Sequence, residues 1–575
     1  MMPAHETYDV IVIGAGAGGM TAAAVAAAEG LRVLVIEKTA FAGGTTAWSN
    51  GMVWIPANTK MKEAGLSDSV ADAVQYLSNT VPETANAGLR AAFLARGPEA
   101  IAYLEANTEV RLQSVKACPD YYPERLGATS GGRVLEPVAF DGRGLGEGFA
   151  RLRPPLPEST LFGGMMLDRL DIPHLRRIGK SLRSTMRAAR LVSAYALQRL
   201  RSPRGTTLHL GNALAARLYA SLLARQVEFL FSADVEDLSM QGDRVSGVVI
   251  RHGSRDRPIA ARRGVVLATG GFSHDAVLRK RLFPAAAGFV SAANTSSTGD
   301  GLRLAAATGA ALNTDATSPA HWVPASLFRR ADGSRGVFSH MVTDRAKPGV
   351  IAVNAGGRRF VNEALSYHEF VLAMLRDGEP DRPFHLICDR RFLWDYGLGR
   401  IRPFTRRYRR YVASGELIEA ADIAQLAARI GVKPSTLTAT IVNYNADAEE
   451  GRDPEFGRGS TLHQRHLGDI SHKPNPCVAP ITQAPFFAMR IHPADLGTAI
   501  GMKVDAQARV LRADGTPIAG LYACGNDMGS IMNGNCPGPG ITLGPALVFG
   551  YIAGRHLAER TMTFATTPAA ATTSV

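Results

Sequence analysis

Short apolar runs closed by glycine recur at both ends of the chain, and the middle has a different texture. Near the start, Val10–Ile13 runs into Gly14-Ala-Gly16-Ala-Gly-Gly19. An alanine-rich stretch follows from Gly19 to Glu29, and Arg32–Ile36 is apolar again. A brief apolar run before glycines reads as a buried strand and the longer stretch as a helix, so residues 8–37 predict a strand–helix–strand unit. Arg244–Ile250 and Val265–Ala268 predict two more strands, the second ending in Thr269-Gly270-Gly271. Ser296-Ser-Thr-Gly-Asp-Gly301 opens a further alanine-rich helix. From about 290 to 480 aromatic clusters and longer loops take over, and strand-and-glycine texture returns around Ala508–Leu521. This out-and-back pattern predicts an α/β fold in which one domain is interrupted by a second, α+β domain. The expected division is 1–290, 291–480 and 481–562, with an insertion at 151–210 in the first part. An Ala/Thr-rich tail at 563–575 is expected to be disordered.

Composition narrows this only slightly. At 575 residues the chain exceeds a single core. Its five cysteines, Cys118, Cys388, Cys477, Cys524 and Cys536, form no CxxC pair, as a reduced compartment would have it. There is no apolar run of about 18 residues, and strand-like sequence by Asp9 leaves no room for a signal peptide. A cytoplasmic location is the expectation, and no metal-ligand cluster is predicted.

Charge changes the picture more. The net charge is +13, and Arg151–Arg204 holds 12 Lys/Arg against 3 Asp/Glu. No nucleic-acid recognition motif accompanies it, so nucleic acid is not an expected partner. Arg176, Lys180, Arg183, Arg187 and Arg190 recur at helical spacing, beside an apolar stripe of Leu175, Ile178, Leu182, Met186 and Ala189. A basic face beside an apolar one suits an anionic membrane surface, which predicts peripheral contact through 175–200 at the inner face. A solvated helix packed on its own domain fits the same pattern.

Gly14-x-Gly16-x-x-Gly19 carries a defined chemistry. The first glycine allows the tight turn and the second lets backbone approach a pyrophosphate. The third lets the helix pack on its strand, and the helix N-terminus faces the phosphates. Glu37 ends the second strand at the spacing of a ribose-binding acid, which disfavours a 2′-phosphate. A second glycine turn follows, Lys38-Thr-Ala-Phe-Ala-Gly43-Gly44-Thr45-Thr46-Ala-Trp-Ser49. It can run beside a pyrophosphate and ribityl chain, so a Rossmann-like domain binding FAD rather than NAD is expected.

Ala268-Thr-Gly-Gly-Phe272 and Gly520–Asn526 lie in the same order as in the succinate dehydrogenase/fumarate reductase flavoprotein superfamily, which the chain resembles over most of its length. Members with covalent flavin carry a histidine shortly after the second glycine turn. None lies between Lys38 and Gly51, so the resemblance implies non-covalent FAD. It adds Val235, Gly270, Asn526, Thr542 and Leu543 to the cofactor candidates Gly14, Gly16, Gly19, Glu37, Lys38, Gly43, Gly44, Thr45, Thr46 and Ser49.

Three stretches narrow the resemblance to the 3-ketosteroid Δ1-dehydrogenases. They are Pro119-Asp-Tyr121-Tyr122-Pro-Glu124, Arg359-Phe-Val-Asn362-Glu363-Ala-Leu-Ser-Tyr367, and Cys536-Pro-Gly538-Pro-Gly540-Ile-Thr-Leu-Gly544. The resemblance implies 1,2-dehydrogenation of a 3-ketosteroid or related lipophilic cyclic ketone, with a quinone or other electron acceptor. Tyr367 matches the base that removes the α proton, and Tyr121 or Tyr122 its helper. The Gly540 N–H holds the carbonyl oxygen, and flavin N5 takes the β hydride. Where the family has a second carbonyl donor, a tyrosine, this chain has Cys536, a shorter side chain and a weak donor. Asn533, Asn535 or Tyr121 is left to replace it, and Tyr122, Cys536 and Asn535 are the candidate substrate contacts. Phe486-Phe487 also stands where relatives often carry tyrosines. Two alternatives remain: a fumarate- or urocanate-reductase-like enzyme using His321, His368 and His492, and a Δ4-(5α)-type ketosteroid dehydrogenase.

Overall fold

The structure is a computed structural model that describes residues 6–82, 86–252, 255–377 and 382–559. The predicted first unit is present as β1 (Thr7–Ile13), α1 (Ala17–Ala28) and β2 (Val33–Glu37). Val10, Ile11 and Val12 are wholly buried because β1 sits inside an eight-stranded sheet. On one side β1 pairs in parallel with β2, Val10 opposite Val33. On the other it pairs in parallel with the strand Arg255–Leu267, Ile13 opposite Leu267. That strand in turn pairs in parallel with Pro517–Ala523 from the far end of the chain, Leu267 opposite Ala523.

Three strands separated by hundreds of residues therefore finish side by side, and glycine turns at Gly14, Gly270 and Gly525 follow them. Their carboxyl ends form one edge, where open α/β sheets bind ligands. The helix Leu543–Glu559 closes the layer by packing against α1 at small residues. A Cβ on Gly550 would come within 2.6 Å of the Gly18 carbonyl oxygen, so only glycine permits this approach.

The middle of the chain builds a second, six-stranded sheet. It runs Arg335–Ser339, Ala320–Arg329, Phe486–Thr498, Phe384–Asp389 and Val350–Val353, with Ile418–Ala420 also on Phe486–Thr498. The strand Phe486–Thr498 thus belongs with the middle of the chain, and the return to the first sheet begins after it. The expected boundary at 481 stands too early. The reason is packing: Phe487, Met489 and Ile491 share one apolar cluster with Leu386 and Phe392. Phe486 and Phe487 are buried in this sheet and do not line the large cavity between the sheets.

The basic insertion differs from its prediction. A single helical stripe does not form, because the chain breaks between Ile172–Leu175 and Leu182–Arg199. Gly179 there takes a φ of +76°, and Ser181 caps the second helix by accepting from the Ser184 N–H. Arg176 turns inward and donates to the Asp395 carbonyl oxygen at 3.0 Å, and Arg187 pairs with Asp171 at 2.8 Å. Leu182, Met186, Leu197 and Leu200 are left exposed along the second helix. Among the described residues no helix is long and apolar enough to cross a membrane. The tail 563–575 lies outside the described residues.

Candidate active site

A cavity of about 2020 Å³ runs along the carboxyl edge of the first sheet and on between the two sheets. At one end it is walled by backbone. Gly14 has a φ of +106°, and a Cβ there would meet the Ala268 carbonyl oxygen at 2.2 Å, so this turn admits only glycine. A Cβ on Gly19 would meet the Gly14 carbonyl oxygen at 2.1 Å, which seats α1 on β1. A Cβ on Gly16 would meet nothing within 4 Å. The space it faces is the cavity, at the N-terminus of α1, where an anionic group gains from the helix dipole.

Side chains brace this end. Glu37 accepts from the Ala15 N–H at 3.0 Å and from the Thr39 N–H at 2.9 Å. Lys38 is tied to Asp300 at 2.6 Å, and the Thr46 hydroxyl accepts from the Ala17 N–H at 3.1 Å. Gly44, Thr45, Ser49, Val235, Gly270, Asn526, Thr542 and Leu543 continue the same wall. Gly43 does not reach it. Its φ of +119° sets the turn, and its N–H donates to the Ala15 carbonyl oxygen at 2.8 Å. These groups suit FAD: a glycine cradle open to the cavity, an acid at the end of β2, and a wall long enough for a dinucleotide.

At the other end the wall is made of side chains. The rings of Tyr121 and Tyr367 meet edge to face, with centroids 5.7 Å apart. The Tyr121 and Tyr367 hydroxyls and the Cys536 thiol lie close enough together to shift one another's ionisation. Burial pushes both phenols above their ordinary range. At Tyr367 the Cys536 thiol adds to the rise, while the Tyr121 hydroxyl and the Arg345 charge oppose it. Burial also raises the Cys536 thiol. Gly540, φ +97°, stands on the same wall, and its N–H donates to no described group.

Two candidates fall away from this wall. Tyr122 donates to Glu369 at 2.6 Å, and Asn535 donates to the Thr317 hydroxyl at 3.0 Å. Neither lines the cavity, because those partners turn them aside. Cys536 is buried behind Tyr367 rather than facing the cavity. Asn533 does not line it either, so of the three stand-ins for the family tyrosine only Tyr121 does. His321, His368 and His492 lie outside the wall too. His368 instead accepts from the Trp322 N–H at 3.2 Å, which removes the histidines that a dicarboxylate clamp would use.

The family model for the FAD binding domain matches residues 9–543. The chain belongs to this FAD-binding family. Among its curated relatives is a 4-oxocyclohex-2-ene-1-carboxylate 5-dehydrogenase of Sinomonas cyclohexanicum, 37% identical over 557 residues, covering 96% of this chain and 94% of the relative. A 3-oxosteroid 1-dehydrogenase of Mycobacterium tuberculosis is 35% identical over 572 residues, covering 96% and 99%. The crystal structure of 3-ketosteroid Δ1-dehydrogenase from Sterolibacterium denitrificans, in complex with 1,4-androstadiene-3,17-dione, superposes with a TM-score of 0.89. It is 35% identical and covers 96% of this chain and 99% of its own.

Three residues of this flavoprotein were not anticipated from sequence. Asp527, fully buried, accepts from the Thr269 N–H at 2.5 Å and the Gly271 N–H at 2.9 Å, locking one glycine turn to the other end of the chain. Its place two residues after Gly525 was the available signal. His463 packs on Tyr121 with centroids 4.7 Å apart, and its Nε2 has no partner among the described residues. Burial, then the nearby Arg345, lowers it to about 3, so it is neutral. Arg345 is fully buried and donates to the carbonyl oxygens of His340 at 2.8 Å and Glu363 at 2.6 Å. Nothing in the local sequence marks either residue.

Proposed function

We propose that this FAD-dependent oxidoreductase desaturates a lipophilic cyclic ketone of the 3-ketosteroid class by 1,2-dehydrogenation. The observation that carries the reading is the edge-to-face Tyr121–Tyr367 pair facing the same cavity as the Gly540 N–H, which donates to no described group. Tyr367, as phenolate, removes the proton α to the carbonyl. Tyr121 donates to its oxygen and steadies the negative charge, and Arg345 favours the same charge state from behind. The Gly540 N–H holds the carbonyl oxygen as charge develops on it, since the single O–H of Tyr121 is committed to Tyr367. Non-covalently bound FAD supplies the hydride acceptor. Its contacts fall to the glycine-lined end: Gly14, Gly16, Glu37, Lys38, Gly44, Thr45, Thr46, Ser49, Val235, Gly270, Asn526, Thr542 and Leu543, with Gly19 and Gly43 shaping the backbone behind them.

The electron acceptor is a quinone in this reading. Exposed Leu182, Met186, Leu197 and Leu200, with the cations around them, would rest on an anionic membrane that holds both quinone and ketone. Purified protein that ignores anionic vesicles at low salt sinks the membrane part. Anaerobic titration tests the chemistry. Androst-4-ene-3,17-dione should bleach the flavin absorbance. No bleaching, with fumarate reoxidising the dithionite-reduced protein, would favour a reductase instead.

A further inference from the structure

The two ends of the cavity differ in charge. Along the walls formed by 156–192, 330–402 and 463–472, Arg and Lys outnumber Asp and Glu by eleven to four. Several of these cations are matched, such as Arg330 with Glu158 and Arg400 with Glu416. Among the described residues, Arg177, Lys180, Arg335, Arg345, Lys347 and Arg402 have no carboxylate within the 4.0 Å of an ion pair. Arg402 satisfies itself on the Thr160 carbonyl oxygen and Arg345 on backbone carbonyls. Lys347 is the sharpest case. It donates to the carbonyl oxygens of Leu467 at 2.6 Å and Gly468 at 2.7 Å, and an ammonium has three donors.

We infer that the natural substrate is a cyclic ketone bearing a carboxylate away from the reacting carbonyl, and that Lys347 receives that carboxylate. The inference rests on the dehydrogenase reading above and names its substrate class. Lys347 lines the same cavity as Tyr121 and Tyr367 and is placed there by two wall segments. It follows Arg345 by two residues, at most about 7 Å of chain. Its partner Leu467 is four residues along the helix Leu462–Leu467 from His463, about 6 Å of rise, and His463 packs on Tyr121. The ammonium therefore lies on the wall of the cavity that Tyr121 and Tyr367 also line, held by a helix whose other end packs on Tyr121. Burial first, then the Arg176 charge, lowers Lys347 to about 8, as expected of a cation enclosed without its counter-ion. Asp469, Cys477 and Asp344 are the groups that oppose this fall. A carboxylate entering here gains a charge-assisted hydrogen bond in an enclosed site, whereas a neutral ester leaves the ammonium unmatched.

The test uses the FAD-loaded full chain, without lipid, and two acids each paired with its methyl ester: 3-oxochol-4-en-24-oic acid and 4-oxocyclohex-2-enecarboxylic acid. For at least one pair the KM of the acid should lie about tenfold below that of the ester, and added salt should narrow the gap. Lys347→Met should collapse the ratio to about one, and Lys347→Arg, which keeps the charge, should retain it. Equal KM values within both pairs, or a ratio that survives Lys347→Met, overturns the anion site while the dehydrogenase reading stands. Oxidation of none of the four compounds sinks the dehydrogenase reading. The anion site is then decided by binding, read from perturbation of flavin absorbance, and an acid that binds no tighter than its ester overturns it.

Discussion

The two ends of the cavity are built from different materials. The glycine-lined end is backbone, shaped by positions where a Cβ would strike a carbonyl oxygen at 2.1 or 2.2 Å. The tyrosine end is side chain, with Tyr121, Tyr367, Arg345 and His463 drawn from three separate segments. A site made of backbone tolerates almost no substitution but leaves a readable motif. A site made of side chains is tunable, and its motif is scattered.

The largest expected effect is at Gly16. A Cβ there meets no protein atom within 4 Å and the backbone is not left-handed, so Gly16→Val should fold and yet fill the space at the α1 N-terminus. It should purify with essentially no flavin and no activity, whereas Gly14→Val should fail to fold, since φ is +106° and a carbonyl blocks the way. Thermal melts and flavin absorbance separate the two outcomes. If Gly16→Val retains flavin, the glycine-lined end is not the phosphate site.

At the other end, Tyr367→Phe should keep its flavin and lose about 100- to 10,000-fold in kcat, measured with an artificial acceptor. A loss under tenfold removes Tyr367 as the base.

A smaller effect follows from Arg345. The base acts as phenolate and burial raises Tyr367, so kcat should climb with pH through the neutral and alkaline range. The Arg345 charge lowers Tyr367, so Arg345→Met leaves less phenolate at any given pH and moves the rise to higher pH. About tenfold less activity at neutral pH is expected, recovered in part by alkali. A uniform loss at every pH would mean that Arg345 only holds the loop.

Cys536→Ser should have the smallest effect, within about tenfold in kcat, because the thiol sits behind Tyr367 and burial keeps it protonated. Inactivation of the native protein by thiol alkylation, prevented by substrate, would contradict this.

The same contrast explains what the sequence disclosed. β1, α1, β2 and the glycine cradle were legible because each glycine answers a local steric demand. The Tyr367 and Tyr121 segments were legible through family resemblance, and Gly540 through its turn. Arg345 and His463 were not, because a buried cation satisfied by backbone carbonyls leaves no pattern along the chain. The insertion misled in a different way. Periodicity carried the basic stripe across Gly179, whose left-handed backbone ends the helix that the spacing implied. The strand Phe486–Thr498 was placed with the wrong part of the chain because its partner Ala320–Arg329 lies more than a hundred residues earlier.

The bond from Asp527 to the Thr269 N–H spans 258 residues of sequence. At a synthesis rate of about 5–20 residues per second, the ribosome takes roughly 13–50 s to go from one partner to the other. Throughout that interval the Thr269–Gly271 turn has no clamp. Cofactor loading is therefore expected to wait for the segment that carries Asp527, and a chain truncated before Asp527 should leave the ribosome without lasting hold on its flavin.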